Sequence, residues 1–117
     1  MRDVLFVEDM LELLDLQIKQ IARFRGEVFN LGGGAANSVS LREATAAMQE
    51  ISSRTAPITQ MDHARQGDIV LYWTDNRKAA RQLGWRPKTD LRTGFTRIFD
   101  WIRENEAELR IRYVSSK

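Results

Sequence analysis

Apolar positions near the start of the chain recur at the spacing of an α-helix. They fall three or four residues apart, at Val7, Met10, Leu11, Leu14, Ile18 and Ile21. Leu13 and Leu16 widen this apolar face, so we expect the helix to be covered on more than one side. Gly26 follows two arginines and predicts the end of the helical segment.

Three more helices are predicted by their start and stop signals. Ser40, with a glutamate three residues later, has the capping-box form, in which each side chain bonds a backbone N–H of the other residue. Asp75 caps a short helix that continues through Leu83 and is stopped by Gly84. Asp90 begins the last helix, which carries an apolar stripe of Phe95, Ile98, Phe99, Ile102 and Leu109.

Short apolar segments between these helices predict β-strands. The candidates are Asp3 to Phe6, Val28 to Leu31, Pro57 to Met61 and Ile69 to Trp73. Because helices separate them in the sequence, we expect neighbouring strands to pair in parallel. The chain is therefore predicted to be α/β, with about four helices and a small mixed or parallel short-stranded sheet, in a single domain over residues 1–117.

The composition narrows the possible chemistry. The chain has 117 residues and a net charge of +2, with charges of both signs interspersed, so nucleic acid is not an expected partner. It has no cysteine, which excludes disulfides and thiolate chemistry, and a single histidine, His63, which reads as a solvated side chain. No apolar run is long enough to span a membrane, and we expect a cytoplasmic protein.

Six short motifs follow one another along the chain. They are Arg2-Asp3 with Val7 and Asp9, Val28 to Gly32, Ser40-Leu41 with Glu43, Arg65-x-Gly67-Asp68, Asp75 to Pro87 with Lys78-Ala79 and Leu83-Gly84-Trp85, and Leu91 with Gly94. In this order and spacing they resemble the extended short-chain dehydrogenase/reductases, the NAD-dependent nucleotide-sugar epimerases and dehydratases. The resemblance covers residues Arg2 to Glu104 of this chain. It corresponds to the C-terminal third of such enzymes.

The resemblance implies that two parts of the enzyme have different functions. The N-terminal half of this family carries the Gly-rich turn for NAD, a Ser/Thr and a Tyr-x-x-x-Lys pair. We therefore expect this chain to be the substrate-binding lobe, with no catalytic residue and no NAD site of its own, and NAD is implied for the complete enzyme. The loss of a covering half would leave apolar surface exposed, so we also expect a homodimer or a partner that carries an NAD-binding domain.

The best candidates for binding are Arg65 and Asp68. A guanidinium can grip a diphosphate with two hydrogen bonds, and a carboxylate can hold sugar hydroxyls. The resemblance places the arginine against the diphosphate of a nucleotide-diphosphate sugar. The alternative is a solvated turn in which Arg65 pairs with a nearby aspartate. Arg2 and Asp3 either line the sugar pocket or form a buried pair that anchors the strand, and the second reading is favoured.

Other motifs have simpler explanations. Gly32 to Gly34 follow a predicted strand, as a phosphate-binding loop would, but their spacing does not fit a dinucleotide fingerprint, and a tight connection is favoured. Tyr113 and Lys117 have the Tyr-x-x-x-Lys spacing only by coincidence. Asp9 is explained by the helix dipole. Core packing is preferred to base stacking for Trp85 and Phe95, and Trp73, beside Tyr72 on an apolar segment, is also expected in the core.

Overall fold

A computed structural model describes residues 1–59 and 67–114, with the side chain of Val114 left out. Its first half contains strand β1 (Arg2–Asp3), helices α1 (Val7–Lys19) and α2 (Ile21–Phe24), a 3₁₀ turn (Ala35–Asn37), strand β2 (Ser38–Val39) and helix α3 (Leu41–Ser52). Its second half contains helices α4 (Arg77–Leu83), α5 (Leu91–Glu104) and α6 (Glu106–Val114). The predicted α/β class is confirmed.

Several helix boundaries follow the predicted signals, but the last predicted helix is divided: α5 ends at Glu104, and Leu109 lies on the separate helix α6. Ser40 and Glu43 form a complete capping box at the start of α3, and the side chain of Asp90 accepts the backbone N–H of Thr93 at the start of α5. Gly84 ends α4 with a positive φ of 67°. Asn76 holds the N-cap position of α4, although the Asp75 carboxylate still accepts a backbone N–H of the first turn.

The sheet differs from its prediction. Strands β1 and β2 pair antiparallel, with Arg2 opposite Val39 and Asp3 opposite Ser38, so the expected parallel pairing is wrong for this pair. The predicted strand Val28 to Leu31 forms no ladder with any described residue, because a strand needs a neighbour to take its hydrogen bonds. Pro57 to Met61 lies partly outside the described residues, and 57–59 are irregular.

The apolar segment Ile69 to Trp73 also lacks regular strand structure, but it runs beside the N-terminus. The terminal ammonium of Met1 donates to the carbonyl of Val70 at 2.8 Å, and the Tyr72 N–H donates to the carbonyl of Met1 at 3.2 Å. Two backbone hydrogen bonds thus fix this segment against the start of β1.

The core lies where α1, α2 and α4 meet. Its buried members are Leu13, Phe24, Ala79, Leu83 and Trp85, with Leu5, Leu16, Phe29 and Leu31 packed around them. α1 contributes only part of its apolar face to this core, and Leu11, Leu14 and Ile18 remain exposed. No helix within the described ranges is long and apolar enough to cross a membrane.

Candidate functional site

Two of the three predicted site residues meet at the surface. A guanidinium nitrogen of Arg2 donates to a carboxylate oxygen of Asp68 at 2.8 Å, and a second nitrogen donates to the carbonyl of Met1 at 2.9 Å. The pair lies beside a cleft of about 370 Å³ between β1, the start of α3 and the 68–70 segment. Arg65, the third predicted residue, lies outside the described residues.

The local fold explains why Arg2 and Asp68 meet. Pairing with Val39 orients Arg2 at the sheet edge, and the hydrogen bonds between Met1 and the 70–72 segment bring Asp68 alongside. The two side chains are 46% and 62% exposed. A salt bridge this exposed contributes little to stability, so a ligand can replace either partner at small cost.

The chemistry of this cleft suits an anionic, hydroxylated ligand. A guanidinium offers a planar set of donors to phosphate oxygens, and a carboxylate accepts hydrogen bonds from sugar hydroxyls. Ser40 also lines the cleft, but its hydroxyl is already committed to Glu43 in the capping box. Arg2 and Asp68 are therefore the charged side chains at this cleft that suit such a ligand, which would replace their contact with each other.

Arg2 and Asp3 do not form the buried pair that the sequence favoured. Arg2 turns outward to Asp68, whereas one carboxylate oxygen of Asp3 accepts the backbone N–H groups of Gly34 and Thr74, both at 2.9 Å. Burial of Asp3 raises its pKa, but the hydrogen bonds from Thr74 and Gly34 outweigh this effect and hold the pKa below its ordinary value. Asp3 is thus a structural anchor.

The glycine turn is explained by close packing. A Cβ on Gly32 would lie 2.1 Å from the hydroxyl of Thr74, and one on Gly33 would lie 2.0 Å from the carbonyl oxygen of Val4. The N–H of Gly34 is already bound by Asp3. These contacts account for the glycines without a phosphate ligand and agree with the preferred interpretation as a tight connection.

Asp9 does more than balance the helix dipole. Its side chain accepts the backbone N–H groups of Lys88 at 3.2 Å and Thr89 at 3.0 Å, and its residue is only 4% exposed. The indole N–H of Trp85 donates to the Asp9 carbonyl at 2.9 Å, and Trp85 is 1% exposed. Trp85 is therefore a core residue, as expected.

The structure describes only some of the other residues that the sequence singled out. Phe95 is half-buried beside an apolar cleft of about 490 Å³ between α5 and the 4–8 segment. Tyr113 is exposed on α6, while His63 and Lys117 lie outside the described residues. Within 1–59 and 67–114, no three histidine, aspartate or glutamate side chains converge as metal ligands would.

A second cleft escaped the sequence analysis. It has a volume of about 670 Å³ and lies between the glycine turn, the 73–76 segment and α4. Arg77, Arg81, Arg86 and Trp73 line it. Trp73, expected in the core, is 48% exposed. The spacing of Arg77 and Arg81, one helical turn apart, was the signal that could have indicated this cleft.

Comparison with known proteins gives a consistent set of similarities. Residues 1–98 match the family described as GDP-mannose 4,6 dehydratase. The CDP-paratose 2-epimerase of Salmonella typhi is 30% identical over 100 residues, which cover 86% of this chain and 29% of that protein. The dTDP-glucose 4,6-dehydratase of Streptomyces antibioticus is 33% identical over 82 residues, 70% of this chain and 24% of that protein.

A third similarity has the same extent. The UDP-glucose 4-epimerase of Caenorhabditis elegans is 29% identical over 108 residues, which cover 85% of this chain and 30% of that protein. The chain thus spans less than a third of the length of each of these relatives.

Proposed function

This chain belongs to the GDP-mannose 4,6 dehydratase family of nucleotide-sugar epimerases and dehydratases, and we propose that it is the lobe that binds the nucleotide-linked sugar. In the complete enzyme, NAD would oxidise and re-reduce the sugar. The present chain would hold the substrate without a catalytic residue or an NAD site of its own. A cytoplasmic location stays a prediction.

The observation that carries this proposal is the contact between Arg2 and Asp68 at the edge of a cleft. A cation and an anion side by side offer complementary partners for the diphosphate and the hydroxyls of one ligand. The residues around them are fixed by the backbone hydrogen bonds of Met1, so the pair is held in place before a ligand arrives. Arg65 is proposed as the third member of this site.

Apolar surface on α1 supports a second element of the proposal, a protein partner. Leu11, Leu14 and Ile18 are exposed by 54%, 42% and 70%, and they share the face predicted from the sequence to be covered. Contiguous apolar surface of this kind is typical of interfaces. The partner would be a second copy of this chain, or a chain that carries an NAD-binding domain and so completes a split epimerase.

The binding proposal is tested by calorimetry of the purified chain with CDP-glucose and UDP-glucose. We expect heat of binding, and Arg2→Gln should weaken affinity at least about tenfold, since a hydrogen bond to a charged group contributes about 1.5–3 kcal/mol. Asp68→Asn and Arg65→Ala should also weaken it. Arg92→Gln, an exposed arginine paired with Glu50 elsewhere, is the matched control.

Two results would contradict the binding proposal. The first is the absence of heat with both nucleotide sugars at millimolar concentration, which would favour an interaction module that no longer binds them. The second is equal affinity in the Arg2→Gln variant and the control. Tight retention of NAD by the chain alone would contradict the proposed absence of a cofactor site.

The partner proposal is tested by sedimentation velocity over a concentration series. We expect association that Leu11→Lys and Ile18→Lys reduce, because a charge on this face would have to be desolvated in the interface. Ile111→Lys, an equally exposed position on α6, is the control. A monomer at all concentrations, with no capture of an added NAD-binding chain, would overturn the proposal.

A further inference from the structure

The apolar segment that precedes α4 is hydrogen-bonded to β1 along one edge. The carbonyl of Val70 accepts the ammonium of Met1 at 2.8 Å, and the Tyr72 N–H donates to the Met1 carbonyl at 3.2 Å. Two residues further on, the Thr74 N–H donates to the carboxylate of Asp3 at 2.9 Å. Alternate residues of the segment therefore direct their backbone groups toward β1, as in a strand beside its neighbour.

The residues between them, Leu71 and Trp73, direct their N–H and C=O groups to the opposite edge. These groups form no hydrogen bond with any residue in 1–59 or 67–114. The side chains of Leu71, Tyr72 and Trp73 are each about half exposed. We call this surface the 71–73 edge. Free backbone donors and acceptors beside exposed apolar side chains form a template for a further strand.

A second copy of the same segment would satisfy this edge. Two identical strands related by a two-fold axis pair antiparallel and form a closed dimer. With the axis at Tyr72, Leu71 would lie opposite Trp73 of the second copy, and each such pair would exchange two backbone hydrogen bonds. A register moved by one residue would need Ile69 in the ladder, but the chain bends at Val70, so the register at Tyr72 is favoured.

The side chains and charges agree with this antiparallel arrangement. Tyr72 would stand opposite Tyr72 of the second copy, and aromatic pairs stabilise antiparallel strands. The nearest charged residues are Asp68 and Asp75. Asp75 would lie opposite Ile69 and not opposite an aspartate. Parallel pairing in register would instead set each aspartate beside the same residue of the other copy, which like charges oppose.

We propose that the 71–73 edge is an interface between two copies of this chain, which pair antiparallel across a two-fold axis at Tyr72. The surface is distinct from the exposed face of α1, and the inference does not rest on nucleotide-sugar binding. Few residues on each side take part, against roughly 20–30 in a standard interface, so the dimer should be weak and form at high protein concentration.

Disulfide cross-linking tests the register, because the chain has no cysteine of its own. The Cα atoms of a central, non-hydrogen-bonded pair lie about 4.5 Å apart, a distance that a disulfide spans. Tyr72→Cys should therefore form a covalent dimer at least about tenfold faster than Leu71→Cys, whose thiols would occupy diagonal positions roughly 7–8 Å apart. Val28→Cys, an exposed position in another apolar segment, is the control for random collision.

Charge exchange at Tyr72 tests the same pairing without a cross-link. In sedimentation velocity, Tyr72→Lys and Tyr72→Glu should each associate at least about fivefold more weakly than the parent chain, because like charges would face each other. An equimolar mixture of the two should associate more strongly than either alone. Val28→Lys is the control for added charge. Adding Leu11→Lys, which alters the α1 face, should leave the cross-link of Tyr72→Cys unchanged.

Hydrogen exchange of the parent chain needs no substitution, so it tests the proposal even if a variant fails to fold. The amides of Leu71 and Trp73 should gain protection as the protein concentration rises, whereas the amide of Val28 should not.

Five results would overturn the proposal. They are concentration-independent exchange at Leu71 and Trp73, a parent chain that stays monomeric at millimolar concentration, equal cross-linking rates of Tyr72→Cys and its two comparison variants, a mixture of Tyr72→Lys and Tyr72→Glu that associates no better than its components, and loss of the cross-link on addition of Leu11→Lys. The last result would assign the association to the α1 face.

Discussion

The carboxylate of Asp9 accepts a hydrogen bond from the backbone N–H of Thr89, 3.0 Å away in space and 80 residues away in sequence. The same carboxylate also accepts the N–H of Lys88, and the ammonium of Lys88 pairs with Glu12 one turn along α1. The segment between α4 and α5 is therefore attached to α1 through the buried Asp9 and, at the surface, through the pair of Lys88 and Glu12.

Asp9→Ala should destabilise the chain by about 2 kcal/mol, because buried N–H groups left without an acceptor cost about 1–3 kcal/mol. Urea unfolding followed by circular dichroism measures the change. Asp15→Ala is the control, since Asp15 forms an exposed pair with Lys19 and its loss should change stability by no more than about 0.5 kcal/mol. Equal effects of the two substitutions would show that Asp9 acts only through the helix dipole.

Gly33→Ala should destabilise the chain by more than about 3 kcal/mol, because the new Cβ would lie 2.0 Å from the carbonyl oxygen of Val4 and backbone would have to move. Gly94→Ala is the comparison. Its Cβ would lie 3.2 Å from the ring of Phe6, which can adjust, and alanine favours a helix by about 1 kcal/mol over glycine. Thermal unfolding should therefore show a near-neutral effect at Gly94. A mild effect at Gly33 would contradict the tight packing described here.

The pH dependence of stability should change when Asp3 is replaced by asparagine. The folded-state pKa of Asp3 lies below its ordinary value of 3.8, although burial raises it, because the bonds from Thr74 and Gly34 favour the charged form. The ionised carboxylate therefore adds stability above pH 3.8, and this contribution disappears as the pH falls through the folded-state pKa.

The measurement is urea unfolding of both proteins between pH 2.5 and pH 7, about the range over which carboxylates titrate. The difference in unfolding free energy between the parent chain and Asp3→Asn should be largest at the upper end and shrink toward the lower end. A difference that is constant with pH would contradict this role for the charged carboxylate.

Ser40→Ala should lower the free energy of unfolding by about 1 kcal/mol, because the capping serine accepts the N–H of Glu43 at the start of α3. Thr45→Ala is matched to it within the same helix. The Thr45 hydroxyl donates to the carbonyl of Leu41, which already accepts a hydrogen bond within the helix. Loss of the hydroxyl should therefore change stability little. Chemical denaturation of the two variants side by side would reveal any reversal of this order.

The sequence predicted the helices better than the strands for a physical reason. Ser40, Asp90 and Gly84 act on backbone groups within a few residues, so local sequence contains the information. The segments Val28 to Leu31 and Ile69 to Trp73 have the composition of strands, but strand formation depends on a neighbour elsewhere in the fold. Their β-propensity alone could not supply that neighbour.

The candidate site could be predicted in part, from the order of the sequence motifs. Arg2 and Asp68 belong to motifs of the family, and the structure brings them together. The role of Asp9 was missed because its partners lie about 80 residues away. The cleft beside α4, lined by Arg77, Arg81 and Arg86, was missed for two reasons. Arg81 and Arg86 belong to different segments, and Trp73 was interpreted as a core residue from its apolar neighbours.

One oxygen atom of Asp3 binds the N–H groups of both Gly34 and Thr74, and this arrangement links the dynamics of three distant segments. Neither amide can exchange its proton with water through a simple local fluctuation if the carboxylate must first detach from both. Their hydrogen-exchange rates should therefore rise and fall together, as expected if β1, the glycine turn and the 73–76 segment open as one cooperative unit.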